Sequence, residues 1–161
     1  MKARRRTSRR RERGQTLAEF AMVAPILFIL VFGIIDIARL YNAWVTVQGA
    51  AREGARYGVT GRTDCTAFSD DRAGCIESTA LAHADSLANT DTALTVITGS
   101  WAYPGYETAN ASGDPGDQCD VLEVKVEYDY EPSTPVISKL IGGVHLTGRE
   151  RLMNEPFGQC D

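Results

Sequence analysis

The chain begins with a polar, basic arm, continues with an apolar run, and ends in a body where apolar and polar residues alternate. No residue from Phe20 to Ile35 is charged, and the apolar character covers residues 17–38 apart from Glu19 and Asp36. A helix of about 22 residues crosses the roughly 30 Å of a bilayer's hydrocarbon core. A soluble core helix without a polar face would have to be enclosed on all sides. The pattern therefore predicts one transmembrane helix.

The same helix is predicted to continue beyond the membrane, from Thr16 to about Tyr57. Pro25 lacks a backbone N–H donor and is expected to kink the helix inside the bilayer. Asp36 and Arg39 stand three residues apart and can pair near the outer headgroups. Further along, small residues with four-residue spacing allow another element to approach the helix backbone, either the chain's own body, which we prefer, or another subunit. These small residues are Ala50, Gly54 and Gly58.

The residues after the long helix predict a small α+β domain. Apolar and charged residues alternate along Val121–Tyr130, as in an antiparallel strand packed on a helix. A second helix is expected from about Ala73 to Asn89, because apolar residues recur there at helical spacing. Its buried stripe consists of Ile76, Ala80, Ala84 and Leu87. The other expected elements are a strand at Leu94–Thr98, a loop over 99–120, a helical turn at Val136–Ile141 and a strand at Val144–Leu152 that pairs with Val121–Tyr130.

Charge is separated along the chain, although the formal net charge is only −4. Residues 1–13 carry eight Lys/Arg and one Glu, hence +7, whereas residues 14–161 carry nine Lys/Arg and 20 Asp/Glu, hence −11. A basic flank predicts that the N-terminus stays in the cytoplasm and that the acidic body is exported. A cleavable secretory signal is the alternative, but the apolar run is long and no clear small-x-small cleavage site follows it. The acidic body argues against nucleic acid as a partner.

The four cysteines all lie on the predicted exported side. An even number of cysteines in an oxidising compartment suggests two disulfides, for which three pairings exist. We favour Cys65 with Cys75, which closes a short loop, and Cys119 with Cys160, which ties the C-terminal end to the body. A zinc site is the alternative, but the sequence contains no Cys-x-x-Cys pair.

The body contains no recognisable catalytic constellation: no Gly-x-Ser-x-Gly elbow, no phosphate-binding loop and no His/Glu metal pair. The sequence therefore predicts a protein that is not an enzyme, with no cofactor and no small-molecule substrate. Asp114, Asp117 and Asp120 could collect around calcium, which prefers oxygen ligands. They lack the spacing of a calcium loop, so a solvated acidic loop is the preferred interpretation.

The junction between the basic arm and the apolar run is the most informative segment for function. The arm ends in Gly14, and Glu19, the fifth residue after it, lies at the mouth of the apolar segment. Glycine has no side chain to clash with a protease cleft, and a carboxylate within a membrane span is costly and needs a partner. This arrangement resembles the processing site of type IV prepilins. The alternative is that Glu19 is an ordinary first-turn glutamate favoured by the helix dipole.

Residues Gly14 to Gly58 resemble more closely the TadE-like family of pseudopilins from tight-adherence (Flp-type) pilus systems. The matching features are Ala18-Glu19-Phe20, Pro25, Phe32-Gly33, Arg39 and the segment 51–58. Major Flp pilins usually carry Glu-Tyr at the junction and are much shorter after processing. Glu19-Phe20 and the large body therefore indicate a minor pilin or pseudopilin.

The resemblance implies that a prepilin peptidase cuts after Gly14, so that the mature chain begins at Gln15. Glu19, followed by Phe20, would pair with the N-terminal ammonium of a neighbouring subunit and fix the register between subunits. It also implies three regions: a cytoplasmic leader (1–14), a long helix (15–58, transmembrane over about 17–38) and an exported pilin-like domain (59–161).

The implied location is the bacterial cytoplasmic membrane, crossed once, and after processing a surface pilus. The implied partners are membrane lipid, the prepilin peptidase, other pilins or pseudopilins, and the Tad secretion machinery. The implied function is pilus assembly that supports surface attachment and biofilm formation. The alternative function is an extracellular binding module on a signal anchor that is never processed.

Overall fold

The computed structural model describes residues 6–65, 71–88, 94–156 and 160. It confirms an α+β fold in which a long N-terminal helix supports a second helix and a three-stranded antiparallel sheet. The elements are α1 (Arg6–Gly58), α2 (Arg72–His83), α3 (Asp85–Ala88), β1 (Leu94–Trp101), β2 (Val121–Tyr130), α4 (Pro135–Ile141) and β3 (Val144–Met153).

The long helix α1 begins ten residues earlier than the sequence predicts, at Arg6 instead of Thr16, and ends at Gly58. The basic arm is rich in arginine, a good helix former, so it continues the helix of the apolar run. Pro25 lies inside α1. The expected kink at this residue stays a prediction.

The predicted second helix consists of two pieces, α2 and α3, separated by Ala84. Asp71 caps the start of α2, because its side chain accepts a hydrogen bond from the backbone N–H of Ala73 (3.1 Å). The predicted stripe is buried across both pieces: Ile76, Ala80, Ala84 and Leu87. The predicted end at Asn89 lies outside the described residues.

The sheet has the order β1-β2-β3, with both pairs antiparallel. The strand β2 has the predicted bounds, and its apolar side chains are buried on one face. The strand β1 extends beyond the predicted Thr98, because Gly99 and Ser100 pair with Glu123 and Leu122 of β2. The loop therefore starts at 102, not 99. Pairing with a central strand outweighs the loop tendency of the Gly-Ser sequence.

The C-terminal part of α1 packs against the sheet and α2. A Cβ atom on Gly54 would lie 3.1 Å from the Cβ of Ala80 and 3.3 Å from Cγ1 of Val124. At Gly58 it would lie 2.8 Å from Cδ1 of Ile76. The small residues of α1 are therefore used for packing against the chain's own body, as the preferred interpretation held.

Two disulfides connect loop segments to other parts of the chain. Cys65 is bonded to Cys75, which joins the segment after α1 to α2. Cys119 is bonded to Cys160, which joins the residues before β2 to the C-terminal end. Both pairings are those that the sequence analysis favoured.

Candidate functional site

The helix α1 has two halves with different surroundings. We call residues 15–35 the free half and residues 36–58 the docked half. The docked half contributes buried residues to the core, such as Val47 and Ala51, whereas the large apolar side chains of the free half are exposed. They are Leu17, Phe20, Met22, Val23, Ile26, Leu27, Phe28, Ile29, Leu30, Val31, Phe32, Ile34 and Ile35.

The free half is long and apolar enough to be a candidate membrane span. At about 1.5 Å per residue it measures roughly 31 Å, which equals the thickness of a bilayer's hydrocarbon core. A continuous apolar surface of this size is unfavourable in water, so lipid or other protein helices must cover it.

The predicted processing and assembly residues lie at the start of this half. The side-chain amide Nε2 of Gln15 donates a hydrogen bond to Oε1 of Glu19, one helical turn away, at 3.2 Å. Glu19 and Phe20 are both exposed. Gly14 lies within the helix, so a protease that binds an extended chain would have to unwind the helix there. Glycine lowers the cost of this step, since it weakens a helix by about 1 kcal/mol relative to alanine.

The end of the free half is joined to the C-terminal domain through Asp36. This carboxylate is only 4% exposed, and its Oδ2 accepts a hydrogen bond from the backbone N–H of Thr134 at 3.2 Å. The hydroxyl of Tyr130 donates to the backbone carbonyl of Asp36, also at 3.2 Å. Burial, followed by the charge of Asp36, raises the pKa of Tyr130.

The predicted pairing of Asp36 with Arg39 is wrong. In the described part of the chain no ion pair joins these two side chains; instead Nη1 of Arg39 donates to Oγ of Ser133 at 2.6 Å. Residues 130–134 approach α1 closely and supply hydrogen-bond partners to both Asp36 and Arg39. Sequence reasoning missed these partners because they lie about a hundred positions away in the chain. In the sequence, the feature that could have indicated a contact here is a single acidic residue, Asp36, at the end of the apolar run.

The short helix α4 lies beside the same boundary. A Cβ atom on Gly33 would lie 3.7 Å from Cδ1 of Ile137. An apolar groove of about 130 Å³ separates the two helices. Its walls are Gly33, Asp36, Ile37, Leu40, Tyr130, Pro132, Ile137, Ile141 and Val144.

The acidic loop before β2 uses its carboxylates internally. Asp120 accepts hydrogen bonds from the backbone N–H groups of Tyr103 (2.8 Å) and Asp117 (3.0 Å). Asp114 accepts one from the N–H of Gly116 at 2.9 Å. Across the described ranges, no group of His, Cys, Asp or Glu side chains is arranged to hold a metal ion. The prediction of a solvated acidic loop is wrong at Asp120, which is only 8% exposed and whose carboxylate is bonded to backbone N–H groups of the loop.

Comparison with known proteins finds a family model similar to the N-terminal part of the chain. The model of the TadE-like protein family matches residues 14–56, a range that contains the junction, the free half and most of the docked half. The match confirms the resemblance found in the sequence. No curated protein and no solved structure matches the chain.

Proposed function

We propose that the chain is a pseudopilin of the TadE-like type. The free half of α1 holds the precursor in the cytoplasmic membrane, and a prepilin peptidase removes the residues up to Gly14. The mature protein then joins or primes a pilus of the tight-adherence (Flp) type, with other pilins and the Tad machinery as partners. This role is structural and supports surface attachment.

The observation that carries the proposal is the uncovered free half. Its large apolar side chains are exposed, and the chain's own domain covers the helix from Asp36 onward, with one further contact at Gly33. Such a helix can be surrounded by lipid in the precursor and by neighbouring helices in a fibre. The exchange replaces one apolar environment by another, so packing and polar pairing decide the assembly.

Glu19 supplies a polar group for such pairing. Its carboxylate is exposed at the start of the apolar surface, with Gln15 as its hydrogen-bond donor. If the chain is cut after Gly14, Gln15 also carries the new N-terminal ammonium. The ammonium of one subunit and the carboxylate of its neighbour would neutralise each other in a region with little water, where unpaired charges are expensive.

The N-terminus of the exported protein tests this proposal against the unprocessed signal anchor. The full chain is co-expressed with the prepilin peptidase of its own system and recovered from membranes, and its intact mass is measured. We expect a chain that begins at Gln15 and ends at Asp161. A chain that keeps residues 1–14 contradicts processing and supports the anchor.

A pair of glycine variants makes the test specific. Gly14→Val should abolish cutting, because a β-branched side chain occupies the space next to the scissile bond. Gly99→Val is the matched control, since a side chain on Gly99 of β1 meets no atom within 4 Å. Equal cutting of both variants would remove the basis for assigning the site to Gly14.

A further inference from the structure

We infer that α4 and the adjoining end of the free half form one lipid-binding surface at the outer boundary of the membrane, where Ile141 contacts acyl chains. This inference rests on the insertion of α1 in lipid, which is part of the proposed function. It does not depend on cleavage at Gly14 or on assembly into a fibre.

The level of α4 along the long helix is the first argument. Ile137 of α4 reaches to 3.7 Å from the Cβ position of Gly33, and Gly33 lies within the uncharged run Phe20–Ile35. If this run occupies the hydrocarbon core, α4 lies beside its last helical turn. The exported domain therefore extends into the zone between the acyl chains and the headgroups.

The surface at this level is apolar and unprotected. Ile37 is 68% exposed and Ile141 is 63% exposed, on either side of the groove between α1 and α4. These side chains continue the apolar surface of the free half without a charged residue between them other than the buried Asp36. Lipid that covers the free half would cover them as well.

The polar groups nearby suit an interface with headgroups. Lys139 of α4 and Arg39 of α1 are both exposed, and long basic side chains can direct their charge to lipid phosphates while their stems stay in apolar surroundings. Glu131 is the exposed carboxylate in the same segment. Together, Lys139, Arg39 and Glu131 carry a net charge of +1.

Two backbone N–H groups at the start of α4 have partners within the chain, which suits a region with little water. Asp36 accepts the N–H of Thr134, Pro135 has no N–H, and the N–H of Ser138 donates to the carbonyl of Thr134 at 2.9 Å. Backbone groups without a hydrogen-bond partner are strongly unfavourable in lipid. Satisfying these groups lowers the cost of placing α4 at the boundary.

The size and the level of the groove favour an acyl chain as its occupant. The groove of about 130 Å³ is smaller than the roughly 300 Å³ at which small-molecule sites begin, and it suits part of a flexible acyl chain. It also lies at a level where the precursor is surrounded by lipid before any assembly.

Quenching of tryptophan fluorescence by brominated lipid tests the inference. The full chain, with both native tryptophans replaced (Trp44→Phe and Trp101→Phe), is reconstituted into phosphatidylcholine vesicles whose acyl chains carry bromine near the headgroups. Ile141→Trp is compared with Met153→Trp, an exposed position (53%) at the opposite end of β3. Because an interfacial side chain penetrates about 5–10 Å into the boundary, we expect at least about twofold stronger quenching in I141W than in M153W.

Each outcome is decisive. Equal quenching of the two variants overturns the inference. Quenching of I141W that appears only at a low protein-to-lipid ratio also overturns it, because a second copy of the chain would then be the preferred occupant. Flotation of the vesicles is measured in parallel: a chain that does not float contradicts the insertion of α1, whereas a chain that floats without selective quenching contradicts this inference alone.

Discussion

The guanidinium of Arg72 donates two hydrogen bonds to the carbonyl oxygen of Gly58, the residue at which α1 ends, at 2.9 and 2.7 Å. The same side chain donates to the carbonyl of Gly116 (2.6 Å) and to Oδ1 of Asn154 (2.7 Å). Burial lowers the pKa of Arg72 from its ordinary value, although nearby carboxylates oppose this change, and an arginine stays charged in proteins. The contact places a cation at the C-terminus of the longest helix, where the helix dipole favours it.

Replacing Arg72 should therefore destabilise the C-terminal domain. In Arg72→Met three partly buried oxygens lose their donor, and we expect the free energy of unfolding to fall by about 2–4 kcal/mol. Urea unfolding of the full chain in detergent micelles, followed by near-ultraviolet circular dichroism, measures the loss. Arg52→Met is the control, since Arg52 lies 3.9 Å from Glu150 with its side chain 69% exposed and should cost less than about 1 kcal/mol. Similar losses in both variants would show that the cap on α1 has no special role.

Gly148 allows β3 to lie directly on the backbone of α1. A Cβ atom at this position would lie 2.8 Å from the backbone carbonyl carbon of Val47 and 3.0 Å from its Cγ1. A backbone group cannot turn away, so Gly148→Ala should separate β3 from α1 and cost about 1–3 kcal/mol in the same unfolding assay. Gly99→Ala in β1 meets no atom within 4 Å and should be neutral or stabilising by up to about 1 kcal/mol. A neutral Gly148→Ala would contradict the close approach.

The elements that the sequence predicts well are those with strong local patterns. The uncharged run of α1, the alternation along Val121–Tyr130 and the stripe of α2 each follow one period over many residues, and each is found in the structure. The spacing of small residues at Gly54 and Gly58 also predicts close packing. Local periodicity fixes which face is buried, and burial of that face fixes the core.

The features that escaped prediction depend on contacts between distant segments. The sequence around Asp36 does not predict that Thr134 will be its hydrogen-bond partner. The sequence around Arg72 does not predict its hydrogen bonds to Gly58 either. The strand β1 is longer than predicted because its partner strand, and not its own Gly99-Ser100, decides where it ends. The processing residues Gly14 and Gln15 and the register residue Glu19 stay predictions, since their roles involve other proteins.

The bond between Asp36 and Thr134 should hold the start of α4 against the long helix. In Asp36→Ala the N–H of Thr134 loses its charged acceptor, and a bond of this kind contributes about 1.5 kcal/mol or more. The amide of Thr134 should then exchange its hydrogen with deuterated solvent about tenfold faster, as measured by NMR on the full chain in micelles. Asp36→Asn, which keeps an oxygen acceptor, should change the rate much less. Unchanged exchange in Asp36→Ala would mean that other contacts hold α4.

His145 makes the stability of the sheet depend on pH. Its Nδ1 lies 2.6 Å from Oδ1 of Asp129. The hydrogen bond to Asp129, with the charges of Asp129 and Glu127, raises the pKa of His145 above its ordinary 6.5, against desolvation and the charge of Lys125. A group with a raised pKa in the folded state stabilises fully below its unfolded pKa, and this stabilisation is lost as the pH rises through the folded pKa.

The difference in the free energy of unfolding between the parent and His145→Gln should consequently be larger at a pH below 6.5 than in alkaline solution. Urea unfolding at both pH values measures this difference. His83→Gln, at the other histidine of the chain, is the control for general effects of pH. A difference that grows as the pH rises would contradict a raised pKa of His145 in the folded protein.

Glu19 should be dispensable for insertion and cutting but required for assembly. In Glu19→Ala the apolar surface of the free half is intact, so the chain should enter the membrane and be processed after Gly14 as before. The carboxylate that would neutralise a neighbour's N-terminal ammonium is missing, and an unpaired charge within a helix bundle costs several kcal/mol. We therefore expect at least a tenfold loss of the protein from sheared pilus fractions, since about 1.4 kcal/mol already corresponds to that factor. Glu53→Ala, at an exposed glutamate of the docked half, should assemble like the parent. Normal recovery of Glu19→Ala in pili would show that Glu19 has no role in register.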